Sequence, residues 1–286
     1  MGVVANPAKP AGRQVIRRAV RLILGAGREV RTEPLTAKLV GLGGALADCG
    51  SVPALAAESD LLLVFGGDGT ILGVAREIAG TQTPLLGINL GTLGFLTATT
   101  ARRLPQTLEQ LWAGRCELEE RPLIAATLPH RQPAFREVAL NDFVISRGTV
   151  PRLIELEVRV DGELLTSYRG DGLIVSSPTG STAYSLAAGG AVVSPQAEVF
   201  ALTPICAHTL SSRSVIVSLH STIEVRLRSE RVETFLAGDG QMSVRLEAGE
   251  VVTLTRSACT CHLVRLAGAS FFDTLRQKLN WSGSTL

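Results

Sequence analysis

Residues 61–70 read LLLVFGGDGT, an apolar run followed by two glycines, an aspartate, a third glycine and a threonine. Apolar residues without alternation are typical of a strand that is buried on both faces of a parallel sheet. The glycines permit a tight turn into a helix that we predict over 70–79, and a second apolar run at 85–89 predicts the next strand. The stretch therefore indicates a strand–turn–helix–strand unit, the repeating element of α/β folds.

Strand and helix patterns alternate through the whole first hundred residues. Residues 3–5 form a short apolar run, and residues 13–25 place apolar side chains at helical spacing between arginines. Residues 105–114 predict one more helix, opened by a proline and closed by a glycine. We therefore expect a doubly wound parallel α/β domain over residues 1–103.

The pattern changes after residue 115. The segment 153–160, LIELEVRV, alternates apolar and charged residues and is followed by Asp161 and Gly162, which together are typical of a β-hairpin. Further alternating runs occur at 215–219, 223–227, 251–255 and 261–266, and a final helical pattern occupies 271–281. We expect a β-rich, sandwich-like domain over residues 104–269, with a ligand site in the cleft between the two domains.

The composition excludes several functional classes. The 286 residues include 28 Lys plus Arg and 26 Asp plus Glu, a net charge of +2, which gives no electrostatic reason to expect nucleic-acid or membrane-surface binding. Aromatic residues are only 4% of the chain, so stacking platforms for single-stranded nucleic acid are not expected. At 45% hydrophobic and 19% charged residues, the chain is expected to fold.

The five scattered cysteines form neither a disulfide framework nor a CxxC metal motif. The first ten residues, MGVVANPAKP, have no apolar leader, so we expect a soluble protein of the reducing cytoplasm. The Walker A, GxGxxG, HExxH and GxSxG motifs are absent, and the four dispersed histidines have no metal-ligand spacing. We therefore assign no histidine or cysteine as a metal ligand.

The segment 66–70, GGDGT, predicts an anion site. Glycines bring backbone amides close to a phosphate, and the start of a helix adds a favourable dipole. Phosphate would repel Asp68 if this residue served only as a ligand, so a general base for an attacking hydroxyl or a metal ligand is the better interpretation. The alternative is a structural turn capped by Asp68 or Thr70.

Two later segments are also rich in polar groups. Residues 169–184 contain RGDG and PTGSTAY, whose hydroxyls suit an adenine or amide edge; the alternative is a capped helix with Tyr184 in the core. Asn141 and Asp142 interrupt an apolar run, where polar groups need partners; a turn or bulge is the alternative. GDG at 238–240 is interpreted as a hairpin turn.

These segments together resemble the NAD kinase family, and the resemblance covers nearly the whole chain. GGDGT alone is shared with diacylglycerol and sphingosine kinases. The matching segments, in the family's order, are GGDGT at 66–70, GINLGTLGFL at 87–96, LND at 140–142, RGDGLIVSSPTGSTAYSLAAGG at 169–190, HTLSSR at 208–213, STIEVRLR at 221–228, DGQ at 239–241 and SFFDTLRQKLNWS at 270–282.

The resemblance implies Mg²⁺-dependent transfer of the γ-phosphoryl group of ATP, or of polyphosphate, to the 2′-hydroxyl of the adenosine ribose of NAD. Asp68 would be the base. The phosphate cradle would comprise Gly66, Gly67, Gly69 and Thr70. The NAD-binding residues would be Gly67, Gly69, Phe95, Asn141, Asp142, Arg169, Asp171, Thr179, Thr182, Ala183 and Tyr184.

The resemblance further implies that Mg²⁺ is held mainly through phosphates, that the chain forms homodimers or homotetramers, and that residues 270–286 pack back on the first domain. Two departures stand out: the family's common Asn-Glu pair is Asn141-Asp142 here, and Ser214 stands where proline is frequent. Two alternatives are a lipid kinase that shares GGDGT and a noncatalytic sensor that binds NADP.

Overall fold

The structure is a computed structural model, and it describes residues 1–6, 12–41, 47–91, 94–209 and 211–281. The chain divides into two compact units. One comprises Met1–Glu120 with Cys261–Leu286, and the other comprises Arg121–Thr260. The domain limits expected from the sequence, 1–103 and 104–269, stay a prediction.

The chain begins with an alternation of strands and helices. These are β1 (Gly2–Ala5), α1 (Arg13–Gly25), β2 (Arg31–Thr32), α2 (Pro34–Val40), β3 (Ala47–Asp48), α3 (Val52–Ala57), β4 (Leu62–Gly66), α4 (Asp68–Glu77), β5 (Leu85–Asn89), β6 (Thr99–Thr100) and α5 (Leu104–Trp112). A 3₁₀ turn, Ala101–Arg103, precedes α5.

The rest of the chain is mainly β. Its elements are β7 (Cys116–Leu128), β8 (Phe135–Ala139), β9 (Asp142–Arg147), β10 (Ile154–Val160), β11 (Glu163–Gly170), β12 (Gly172–Ser176), a 3₁₀ turn (Thr179–Thr182), α6 (Tyr184–Ala187), β13 (Val199–Ile205), β14 (Val215–Ser218), β15 (Ile223–Leu227), β16 (Thr234–Gly238), β17 (Met242–Leu246), β18 (Val251–Leu266) and α7 (Phe271–Lys278).

The first unit is built on a parallel sheet in which β5, β4, β1, β2 and β3 are successive neighbours. Leu63 and Phe65 of β4 point to one face, where they pack with Ile16 of α1 and Leu108 of α5. On the other face a Cβ added to Gly87 would overlap Ile71 of α4. Helices therefore cover both faces, which explains why β4 is apolar without alternation. The expected doubly wound α/β architecture is confirmed.

The second unit is a β-sandwich. One of its layers is an antiparallel sheet with the strand order β14–β13–β12–β9–β16–β17. Alternate residues of this sheet, such as Phe143 and Leu173, point into a core shared with Leu156 of β10 and Val225 of β15. Asp142 and Val144 point to the opposite face because side chains alternate along a strand. The expected β-sandwich-like domain is confirmed.

Two local features differ from the sequence-based predictions, and a third agrees with them. Helix α4 begins at Asp68, not at residue 70, so Asp68 lies in its first turn. The runs predicted at 251–255 and 261–266 are one continuous strand, β18. Asp161, at φ +52°, and Gly162 connect β10 to β11 as the hairpin pattern predicts.

In the part of the chain described, no helix has the length and apolar character needed to cross a membrane.

Candidate active site

Asp68 is the first residue of α4 and follows Gly66, which ends β4, and Gly67, which precedes the helix. Its carboxylate accepts two backbone hydrogen bonds: Oδ2 from the amide of Phe95 at 2.9 Å and Oδ1 from the amide of Leu96 at 3.2 Å. A Cβ on Gly94 would overlap this carboxylate. The loop that ends at Leu96 therefore fixes the position of the carboxylate in space.

The four residues of the predicted phosphate cradle lie together at the β4–α4 junction. Gly67 is extended and precedes α4, and no side chain caps the helix there. A Cβ on Gly66 would overlap the side chain of Thr70, so only glycine permits this close approach. The Thr70 amide donates to the Gly67 carbonyl at 2.9 Å, which closes the first turn. Gly69 follows Asp68 within that turn, where helix geometry favours an anion.

Phe95 is held from two sides. Its amide binds Asp68, and its ring contacts Phe271 of α7, with 6.5 Å between the ring centroids. Upstream, the side chain of Asn89 accepts from the Gly91 amide at 2.7 Å and so supports the start of the same loop. Residues 92 and 93 of the predicted GTLGF segment lie outside the described residues.

A cavity of about 400 Å³ lies on the second unit, on the outer face of the six-stranded sheet. It is lined by Asn141, Asp142, Val144, Ser146, Ala183, Tyr184, Ala237, Asp239 and Gly240. Four of these residues were predicted as NAD contacts. Tyr184 is 47% exposed, so its ring is not in the core, contrary to the structural alternative considered for it.

Asp142 is buried in this cavity wall, with only 5% of its surface exposed. Burial disfavours the charged carboxylate, and the nearby negative charge of Asp239 adds repulsion. Together they raise the pKa of Asp142 to about 7. The cavity therefore contains a carboxyl group that titrates near neutral pH.

Asn141 lies in a bend between β8 and β9, so the apolar run does turn at the polar pair. A Cβ on Gly180 would overlap the main chain of Asn141. Ser177 joins the same contact, because its amide donates to the Asn141 carbonyl at 2.8 Å and its hydroxyl to the Leu140 carbonyl at 2.6 Å. The LND and PTGST segments therefore pack against each other.

Thr179 and Thr182 occupy the 3₁₀ turn that precedes α6 and are not among the cavity-lining residues. The Thr179 hydroxyl accepts a hydrogen bond from the buried guanidinium of Arg121 at 3.3 Å. The Thr182 hydroxyl donates to the Thr179 carbonyl at 3.3 Å. Both hydroxyls therefore also stabilise the turn that carries Ala183 and Tyr184.

Asp171 and Arg169 lie outside the cavity lining. Asp171 pairs with Arg147, whose Nε lies 2.6 Å from Oδ1. Hydrogen bonding to this guanidinium is the largest of the effects that lower the pKa of Asp171. The Arg169 side chain is exposed, and its carbonyl accepts from the His208 amide at 2.8 Å.

The sequence analysis did not predict a functional role for two residues. Asp239 lines the cavity, whereas the GDG pattern around it predicts a hairpin turn. Arg147 lies outside the cavity lining and is the partner of Asp171. The DGQ segment at 239–241 was the one available signal for Asp239, whereas an arginine at a strand end gave no signal for Arg147.

Among the described residues no group of three or more His, Cys, Asp or Glu side chains is arranged to hold a metal ion. Asp68, the carboxylate at the Gly-rich junction, already accepts an amide on each oxygen. The described residues therefore offer no cluster of side chains that would hold a metal ion without a substrate's help.

Two family models match the chain: the ATP-NAD kinase N-terminal domain over residues 51–116 and the ATP-NAD kinase C-terminal domain over residues 140–266. The first match includes the whole β4–α4 junction, and the second includes the cavity residues. Fold and site thus define a phosphotransferase that acts on a nucleotide.

Relatives and solved structures agree. The NAD kinase of Syntrophotalea carbinolica is 39% identical over 98% of both chains. That of Moorella thermoacetica is 42% identical over 99% of this chain and 90% of its own. Yeast NADH kinase in complex with NADH superposes with a TM-score of 0.88 at 27% identity, over 100% of this chain and 88% of the yeast chain.

An NAD kinase from Archaeoglobus fulgidus in complex with ATP superposes with a TM-score of 0.78 at 26% identity, over 99% of both chains. The chain belongs to the NAD kinase family. Neither the lipid-kinase alternative nor the noncatalytic-sensor alternative is supported by these comparisons.

Proposed function

We propose that this protein transfers the γ-phosphoryl group of ATP to the 2′-hydroxyl of the adenosine ribose of NAD and so produces NADP. The observation that carries the proposal is the position of Asp68, a carboxylate at a Gly-rich strand–helix junction held by the amides of Phe95 and Leu96. Each Asp68 oxygen keeps a further lone pair with which to accept a proton.

The proposed reaction depends mainly on positioning and charge. A ribose hydroxyl is a poor nucleophile, so Asp68 would accept its proton as the hydroxyl attacks the γ-phosphorus and the bond to ADP breaks. The cradle of Gly66, Gly67, Gly69 and Thr70 would direct backbone dipoles at the phosphates. Because Asp68 is already fixed by two amides, little reorganisation would accompany proton transfer.

We assign the dinucleotide contacts, position by position, from the family resemblance. Asn141 and Thr179 would hydrogen-bond the adenine, and Asp142 the ribose hydroxyls. Thr182, Ala183 and Tyr184 would line the nucleoside pocket, which the half-exposed Tyr184 ring supports. The remaining proposed contacts are Phe95 along the dinucleotide, Arg169 at the phosphates and Asp171 at the nicotinamide end.

We further propose that Mg²⁺ enters as Mg·ATP, because one anchored carboxylate does not make a resident metal site. The cytoplasm is the proposed location; the five cysteines, all free thiols, are consistent with a reducing compartment. A homodimer or homotetramer is proposed on the family resemblance.

The test is to incubate the purified protein with NAD, ATP and Mg²⁺ and to follow NADP with an NADP-specific dehydrogenase. We expect Asp68→Asn to lower turnover by about 10²–10⁴-fold, the usual contribution of a general base, while NAD affinity measured by calorimetry changes little. Glu77→Gln removes a carboxylate at the exposed far end of α4 and serves as the matched control.

Each result has a clear meaning. No NADP from the wild-type protein with NAD and ATP would refute the proposed reaction. Polyphosphate as donor, or NADH as acceptor with NADPH as the product followed, would then show whether the protein uses another substrate. NADP formation that persists in Asp68→Asn would keep the reaction but remove Asp68 as its base.

A further inference from the structure

The carboxylate of Asp239 binds three consecutive backbone amides. Its Oδ2 accepts from Leu140 at 2.9 Å, and its Oδ1 accepts from Asn141 at 2.8 Å and from Asp142 at 3.2 Å. The first two amides lie at the bend between β8 and β9, and the third belongs to Asp142, the first residue of β9. A carboxylate has acceptor sites for all three, since it carries two oxygens and no donor.

Asp239 is itself held rigidly. It occupies the turn between β16 and β17, where Asp239 at φ +50° and Gly240 at φ +64° adopt the left-handed values of a type I′ hairpin turn. The Gln241 amide closes this turn on the Gly238 carbonyl at 3.0 Å. The Asp239 amide also donates to the Asp142 carbonyl at 3.0 Å, so the turn and the bend are joined in both directions.

Two of the three residues whose amides bind Asp239 face the cavity. Asn141 and Asp142 line it, and so does Asp239 itself. A change in the three hydrogen bonds between Asp239 and these amides would rotate the peptide groups of residues 140–142. The side chains of Asn141 and Asp142 would then move. Charge-assisted hydrogen bonds of this type are stronger than those of a neutral acceptor, which suits a fixed orientation.

We propose that Asp239 is a positioning residue of the reaction, because its carboxylate fixes the backbone that presents Asn141 and Asp142 to the dinucleotide. This inference rests on the proposed function, since it takes the cavity as part of the NAD site. The negative charge of Asp239 also acts on Asp142. The titratable groups lining the cavity are Asp142, Asp239 and Tyr184.

The test compares Asp239→Asn with Glu247→Gln, which removes an exposed carboxylate just beyond β17 in the same hairpin. In Asp239→Asn an NH₂ group replaces one oxygen and faces a backbone amide, so two donors meet. We expect NAD to bind at least tenfold more weakly by calorimetry. We also expect the pH at which NAD affinity changes to fall, because the charge that repels ionised Asp142 is gone. Glu247→Gln should alter neither.

Direct binding separates this inference from the reaction. Wild-type protein that binds NAD without forming NADP would refute the reaction and leave the comparison of dissociation constants valid, whereas wild-type protein that does not bind NAD would overturn both. Asp239→Asn with wild-type affinity and wild-type pH dependence would overturn the positioning role.

A second variant covers the case in which Asp239→Asn does not fold. Asp239→Glu keeps the charge but has a side chain one methylene longer, so it misaligns the three hydrogen bonds to the backbone amides. Weaker NAD binding with an unchanged pH dependence would support the positioning role, and wild-type affinity would refute it.

Discussion

The carboxylate of Asp68 lies against the Cα of Gly94, in the space that a Cβ at residue 94 would occupy. The next two amides along the chain, those of Phe95 and Leu96, donate to the same carboxylate. Glycine is therefore required at this position not for an unusual φ angle but for close approach. The carboxylate and the loop fix each other, although Asp68 and Gly94 are 26 positions apart in the sequence.

Gly94→Ala is expected to lower turnover far more than stability. The atoms that the new methyl group meets are the far end of the Asp68 side chain, which must rotate away and give up its hydrogen bonds to the Phe95 and Leu96 amides. A displacement of a reacting group by about 1 Å can cost about 10²-fold in rate. The measurements are NADP formation and thermal unfolding, with Gly25→Ala, where no atom lies within 4 Å of the added Cβ, as the control. Full activity would contradict the assigned position of Asp68.

Gly180→Ala is expected to have the opposite balance. Here the overlapping atoms belong to the Asn141 main chain, which cannot rotate away. Overpacking of this kind typically costs about 1–3 kcal/mol, so the free energy of unfolding should fall by about that amount. NAD affinity should fall as well, since Asn141 lines the cavity. Denaturant unfolding and calorimetry check both, and unchanged unfolding would show that the two segments are not packed together.

Arg147→Met is expected to move the pKa of Asp171 upward, toward the ordinary value. In the wild-type protein hydrogen bonding and charge from Arg147 lower this pKa. A lowered carboxyl pKa stabilises the fold above the unfolded pKa, and that contribution is lost as the pH falls through the folded pKa. Carboxyl carbon shifts in an NMR titration measure the change directly. Arg159→Met, which removes a partner of Glu157 instead, should leave Asp171 as it is.

Much of the fold was predictable because its signals are local. The apolar run at 61–65 predicts a buried parallel strand, and the alternation at 153–160 followed by Asp161-Gly162 predicts a hairpin. The start of α4 was placed two residues late, because glycines in a first turn do not look helical. The continuity of β18 was also missed, since the segment between its two apolar runs is polar.

The site was only partly predictable, for a physical reason. The GGDGT and PTGSTAY segments can be recognised from their residue types, and the family resemblance supplies the roles proposed for them. The contacts of Asp239 with Leu140 and Asn141 join residues that are 99 and 98 positions apart. Such pairs depend on the register of β16 against β9, which alternation alone does not specify.

The pH dependence of stability should identify Asp142 as a buried acid. Its pKa is raised from 3.8 to about 7, so between those values the folded state binds the proton and the unfolded state does not. Stability is therefore greatest below pH 3.8 with respect to this group and is lost as the pH rises to about 7.

Over this pH range the ionisation of Asp142 lowers the free energy of unfolding by about 4 kcal/mol in total. Asp142→Asn removes this titratable group. The free energy of unfolding of the variant should therefore exceed that of the wild-type protein by an amount that grows from pH 3.8 to about pH 7 and stays constant above it. Chemical unfolding at a series of pH values measures the difference, and Glu163→Gln, an exposed carboxylate in β11, is the control. Parallel curves for wild type and Asp142→Asn would mean that Asp142 ionises in the folded protein as an ordinary surface carboxylate does.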